Sequence, residues 1–114
     1  MKFPSELEFM ECFCAEPVEL DGSMGFCRFV KASPDGCVEM DFSFSAISHS
    51  FQVRLKSAGL EVACVSSENV SQIEIGRTQR GQGIHVLFDL QGCKSEAELT
   101  VEPTLHLSWW SIQI

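Results

Sequence analysis

Six cysteines and three histidines are the residues of this 114-residue chain best suited to hold a metal or act as nucleophiles. Cys12 and Cys14 stand closest together, but no second pair follows at zinc-ribbon spacing. Cys27, Cys37, Cys64 and Cys93 are scattered singly, and most alternate with polar residues as small core hydrophobes do. His85 and His106 could join Cys27 or Asp89 only if neighbouring strands assembled them, and no short spacing supports that. A histidine on a strand face is ordinarily a polar, outward residue. Ser, His and Asp are all present, yet neither the GxSxG elbow nor the HExxH zinc helix occurs. A Cys–His nucleophile needs a thiolate held by nearby positive charge, and the net charge of −8 works against one. The glycine-rich GRTQRGQG (Gly76 to Gly83) lacks the lysine and hydroxyl residue of a phosphate loop, and a strand pattern follows it instead of a helix. It reads as a hairpin loop with two solvated arginines. The expectation is a protein that is not an enzyme, with no catalytic residue, no metal ligand and no cofactor.

Sixteen acids against eight bases also limit the partners. Phosphate backbones require a basic stripe, so nucleic acid is a poor partner, and an anionic membrane surface is disfavoured for the same reason. A basic protein would be steered in by such a field. The acids crowd the opening stretch, where Glu6, Glu8, Glu11, Glu16, Glu19 and Asp21 face one base, Lys2. Glu96, Glu98 and Glu102 lie near the other end, so the fold could bring both groups into one acidic face. Glu6, Glu8 and Glu11 also break up any apolar core of a secretory leader, and no apolar run reaches membrane-spanning length. A cytoplasmic protein with reduced cysteines is expected.

Chain length and a 45% hydrophobic composition fit one globular domain over residues 1–114. Ser5 and Glu8 form a capping-box pair, which predicts a short helix from about Glu6 to Cys14, stopped by Pro17. Its apolar arc would be Leu7, Phe9, Met10, Phe13 and Cys14. From Phe26 the period changes to two. Val38, Met40, Phe42 and Phe44 alternate with Glu39, Asp41, Ser43 and Ser45 after an SPDG turn. Similar alternation runs through Phe51–Leu55, Leu60–Cys64, Ile84–Leu90, Ala97–Val101 and Leu105–Trp109. About eight short strands with turns between them predict a mostly β domain, an antiparallel sandwich or barrel-like sheet with one N-terminal helix, α+β being the variant. The inward set would include Val38, Met40, Phe42, Phe44, Val53, Leu55, Val62, Val86, Phe88, Leu99, Leu107 and Trp109.

The acidic amphipathic start, the strand meander and the closing segment Pro103, Leu105, Leu107, Trp109 together resemble the immunity proteins of bacterial polymorphic-toxin and contact-dependent growth-inhibition systems. The likeness is carried by Val38 to Phe44, Ile84 to Leu90 and Pro103 to Trp110. It implies a cytoplasmic inhibitor that binds a cognate basic toxin domain and occludes its active or substrate-binding surface. Within that reading, Glu16, Glu19 and Asp21 are the first candidate contacts, in a loop-like stretch after the helix. Trp110 is the apolar anchor, and Glu39 and Asp41 follow on the face opposite Phe42. The alternative is a small ligand-binding sandwich or barrel with an internal apolar pocket. A filled core would favour the inhibitor, a roomy one the carrier.

Overall fold

The Ser5–Glu8 pair sets the first element. In a computed structural model of the protein, which describes residues 3–113, the Glu8 N–H donates to Ser5 Oγ at 3.2 Å and the Ser5 N–H to Glu8 Oε1 at 3.0 Å. Two of the helix's orphan N–H groups are thereby satisfied. Lys2 lies outside the described residues. Helix α1 (Glu6–Phe13) ends at Cys14, whose left-handed backbone (φ 53°) turns the chain before Pro17 is reached. Phe9, Cys12 and Phe13 form its buried stripe. Leu7, expected on that stripe, is 61% exposed, because the helix buries a narrower face than the wheel suggests.

Among the described residues nine strands follow, in two antiparallel sheets. The first sheet holds β1 (Glu19–Asp21), β2 (Phe26–Ala32), β3 (Val38–Ser45), β4 (Ser50–Ser57) and β5 (Leu60–Ser67), side by side in chain order. The second holds β6 (Val70–Thr78), β7 (Gly81–Leu90), β8 (Cys93–Glu102) and β9 (His106–Gln113), again in order. The architecture is therefore a sandwich of two meanders, and the extra strand is β1, three residues in the stretch expected to be loop. The SPDG turn forms as its residues dictate. The Gly36 N–H donates to Ser33 O at 2.9 Å, Gly36 takes φ 74°, and the Cys37 N–H donates to Asp35 Oδ1. The glycine-rich segment is not a loop. β6 runs to Thr78 and β7 begins at Gly81, leaving Gln79 and Arg80 as the turn. Gly83 serves close packing: a Cβ there would sit 1.8 Å from Leu99 O on β8.

Aromatic rings fill the interior. The Phe9 ring lies 5.8 Å from Phe29, 5.8 Å from Phe42 and 4.8 Å from Phe44 (centroid distances), so α1 is seated on the first sheet. Phe51 meets Phe88 and Trp109 across the sandwich, and Phe88 stacks on Trp109 at 4.7 Å. Helix α1 touches β2 of one sheet and β6 and β7 of the other, closing one side of the sandwich. Met40, Phe42, Phe44, Val53, Val86, Phe88 and Leu99 are buried as expected, with Leu55, Leu107 and Trp109 half-buried against them. Val38 is half-buried at its strand end.

Two expectations are corrected. Val62 faces solvent at 64% exposure. Lys56 pairs with Glu61 while Leu55 pairs with Ala63, so Val62 is the extra residue of a bulge that flips the parity of β5. Ala63 and Val65 turn toward the core in its place. The cysteines, expected mostly buried, divide. Cys12 and Cys27 are buried and Cys93 half-buried, while Cys14, Cys37 and Cys64 are exposed; all six are free thiols.

Candidate partner-binding face

Strand register gathers four of the six candidate contacts on one surface. On the outer face of the first sheet, Glu19 pairs with Arg28, Arg28 with Ser43, Ser43 with Gln52 and Gln52 with Ser66, forming one transverse row. On either side, Asp21, Phe26, Ser45 and Ser50 make a second row and Val30, Asp41, Arg54 and Cys64 a third. Glu39 lies beyond, paired with Lys56. Glu19, Asp21, Glu39 and Asp41 therefore share a face. Glu19 and Asp21 are strand residues, not loop residues, with fixed directions.

An ionic network organises this surface. Arg28 grips Asp41 with two parallel bonds, Nε to Oδ1 at 2.9 Å and a terminal nitrogen to Oδ2 at 2.7 Å. Asp41 is 5% exposed, hidden beneath the guanidinium rather than in the apolar core. The two-pronged geometry fixes Arg28 as a lysine could not. The bonds that Arg28 donates to Asp41 hold the Arg28 pKa above its ordinary value. Glu19 approaches Arg28 at 3.5 Å, and Arg54, across from Asp41, reaches Glu61 at 3.6 Å. Neither cation was singled out in the sequence; an arginine and an aspartate on alternate positions of two adjacent strands were the available signal. At the sheet end, the Ser23 hydroxyl and N–H both donate to Asp21 Oδ1 and hold that carboxyl below the usual range.

The serines between these charged groups leave the surface recessed. Three adjoining open grooves of about 450, 360 and 300 Å³ cross it, sharing Phe26, with Ser43, Ser50 and Gln52 each lining two of them. Met24 and Ile47, 45% and 65% exposed, stand at the turns beside this end of the sheet. A Cβ built on Gly25 would contact both Ala46 and Ile47, so these turns are packed together.

The other two candidates lie elsewhere. Glu16 is exposed between α1 and β1. Trp110 is on the outer face of the second sheet, in the row Leu87, Glu96, Trp110. The structure does not bring it to the network. On that same outer face His85 Nε2 lies 2.8 Å from the Arg77 carbonyl, a donor's position, and Nδ1 stands 3.6 Å from Glu98. β8 separates β7, which carries His85, from β9, which carries His106. Among the described residues no three His, Cys, Asp or Glu side chains are grouped to hold a metal. The two acidic ends of the sequence meet in part: Glu8 and Glu11 of α1 line a groove of about 400 Å³ with Glu102 of β8, whose carboxylate also pairs with Lys31 at 3.0 Å.

No family model and no curated protein matches the sequence. Among solved structures, the chain is similar to a chain of a contact-dependent growth inhibition toxin–immunity protein complex from Klebsiella pneumoniae 342. The match has a TM-score of 0.88 at 22% identity and covers 97% of this chain and 96% of that one. At this identity the likeness is one of fold: an α-helix followed by two strand meanders, aligned essentially from end to end.

Proposed function

We propose that this protein is an immunity protein, a non-catalytic inhibitor that binds a cognate, basic toxin domain and covers its active or substrate-binding surface. The observation that carries the reading is the end-to-end fold likeness to a chain of a toxin–immunity complex. The net charge of −8 favours the inhibitor's side of such a pair, because an acidic chain is drawn to a basic partner and repelled by nucleic acid. The interior supports it over a ligand carrier. Stacked and tilted phenylalanines occupy the space between the sheets where a carrier keeps a cavity, and the grooves described above open on the surface. Steering by the acidic surface would raise the encounter rate, and a few desolvated central contacts would hold the complex. The site of action would be the cytoplasm. Co-expression with the toxin domain encoded by the adjacent gene tests the proposal. Growth should be restored and a stoichiometric complex recovered; continued killing with no complex would refute it.

A further inference from the structure

We infer that the trough across the outer face of the first sheet receives the partner, and that its occupant is a toxin loop carrying a lysine or arginine. The inference rests on the immunity reading and adds the surface and the chemistry of the contact. Strand faces are normally furnished with alternating large side chains, but here Ser43, Ser50 and Ser66, toward the end of the sheet where β4 begins and β5 finishes, leave a recess of about 450 Å³. Its cations are already engaged. Arg28 is held by Asp41 and Glu19, and Arg54 by Glu61. Carboxylates at its two ends are not: among the described residues, no cation forms an ion pair with Asp21, which borders the groove system on the β1 side, or with Glu68, which borders it on the β5 side. The Ser23 bonds keep Asp21 ionised and aimed. Exposed Met24 and Ile47, with Phe26 between the acids and the serines, supply the apolar contact that a steered cation alone lacks. Arg28, bound to Asp41 by two hydrogen bonds, walls one of the adjoining grooves, so a basic side chain entering the system finds Glu68 in the recess or Asp21 in the groove beside it, among polar serine and glutamine groups. The second sheet offers projecting side chains, Leu87, Glu96 and Trp110, along its central row instead.

The test uses the full chain and the purified toxin domain from the adjacent gene, with affinity and association rate measured by calorimetry and surface plasmon resonance. Ser43→Trp fills the recess. Asp21→Lys combined with Glu68→Lys reverses both free carboxylates without touching the core. Each should weaken binding by about 30-fold or more, and the double charge reversal should also slow association. Glu74→Lys on the second sheet should bind as the unaltered protein does. Circular dichroism and the thermal midpoint report folding; if Ser43→Trp fails to fold, the exposed charge pair carries the test alone. Folded trough variants that keep full affinity, or a loss confined to Trp110→Ala, would overturn the inference while leaving the immunity reading in place. An unaltered protein that does not bind the toxin would overturn both.

Discussion

Replacing Phe9 with alanine should remove a large share of the protein's stability, and the structure shows why. The ring is fully buried, and four other phenylalanines surround it: Phe13, Phe29, Phe42 and Phe44. Truncating such a ring costs about 3–5 kcal/mol through lost transfer energy and an unfilled cavity. The upper half of that range applies here, because Phe29 and Phe42 are anchored in adjacent strands by ladder bonds and cannot collapse into the space. A domain of this size has about 5–15 kcal/mol in total, so a loss of ~4 is a large part of it. With a urea dependence of about 1.5 kcal/mol per molar, the unfolding midpoint should fall by roughly 2.5 M. Leu7→Ala is the matched control on the same helix. Its side chain is 61% exposed, and alanine is the better helix former, so the change should stay under about 0.5 kcal/mol. Urea unfolding followed by tryptophan fluorescence and circular dichroism measures both. A Phe9→Ala loss under about 1.5 kcal/mol, or equal losses at the two positions, would mean that α1 is not seated on the first sheet as described.

Three further outcomes follow from the charged and thiol groups. Asp41→Ala should cost about 1–3 kcal/mol, less than a fully buried pair because the Arg28 side chain is 35% exposed and can hydrate; denaturation showing under 0.5 kcal/mol would make the two-pronged bond incidental. The Cys27 thiol is pushed up to about 11, by burial first and by the charge of Glu6 second, against 9.0 for an ordinary thiol. Below pH 9 it is protonated in both the folded and unfolded chain. Between 9 and 11 the unfolded chain loses the proton first, so stability should fall as pH rises through that window. At pH 8, alkylation mapped by mass spectrometry should reach Cys14, Cys37 and Cys64 quickly and Cys27 slowly; rapid native-state labelling of Cys27 would contradict its placement.

Much of this fold was legible because its signals are local. The Ser5–Glu8 cap, the SPDG turn and the Phe42 row each depend on residues a few positions apart, and each formed as the pattern dictates. The failures share a different cause. Nothing in the spacing of Leu60, Val62 and Cys64 reveals a bulge, yet one inserted residue inverts every side chain beyond it. β1 is three residues long and exists because β2 offers it an edge, which no short window of sequence contains. Gly76 to Gly83 looked like a loop because glycine is common there, whereas Gly83 is required by the approach of β8. At the candidate face, acids could be chosen by exposure and alternation. Their convergence could not, because it depends on the register of β1 through β4, and Trp110 lies apart because β9 pairs with β8 in the other sheet.

Each sheet is drawn from one uninterrupted stretch of chain, and strands pair only with their neighbours in sequence. This order has a consequence for synthesis. The first meander is complete once residue 67 has emerged from the ribosome, before any strand of the second sheet is available. Its inner face, Phe29, Phe42, Phe44 and Phe51, would then be an open apolar surface of the kind that draws nascent chains into aggregates. Helix α1 is made earlier still, and Phe9 and Phe13 fit onto most of that surface. The helix that closes the finished sandwich would thus already cover its part of that surface, leaving the Phe51 end as the part that waits for Phe88 and Trp109.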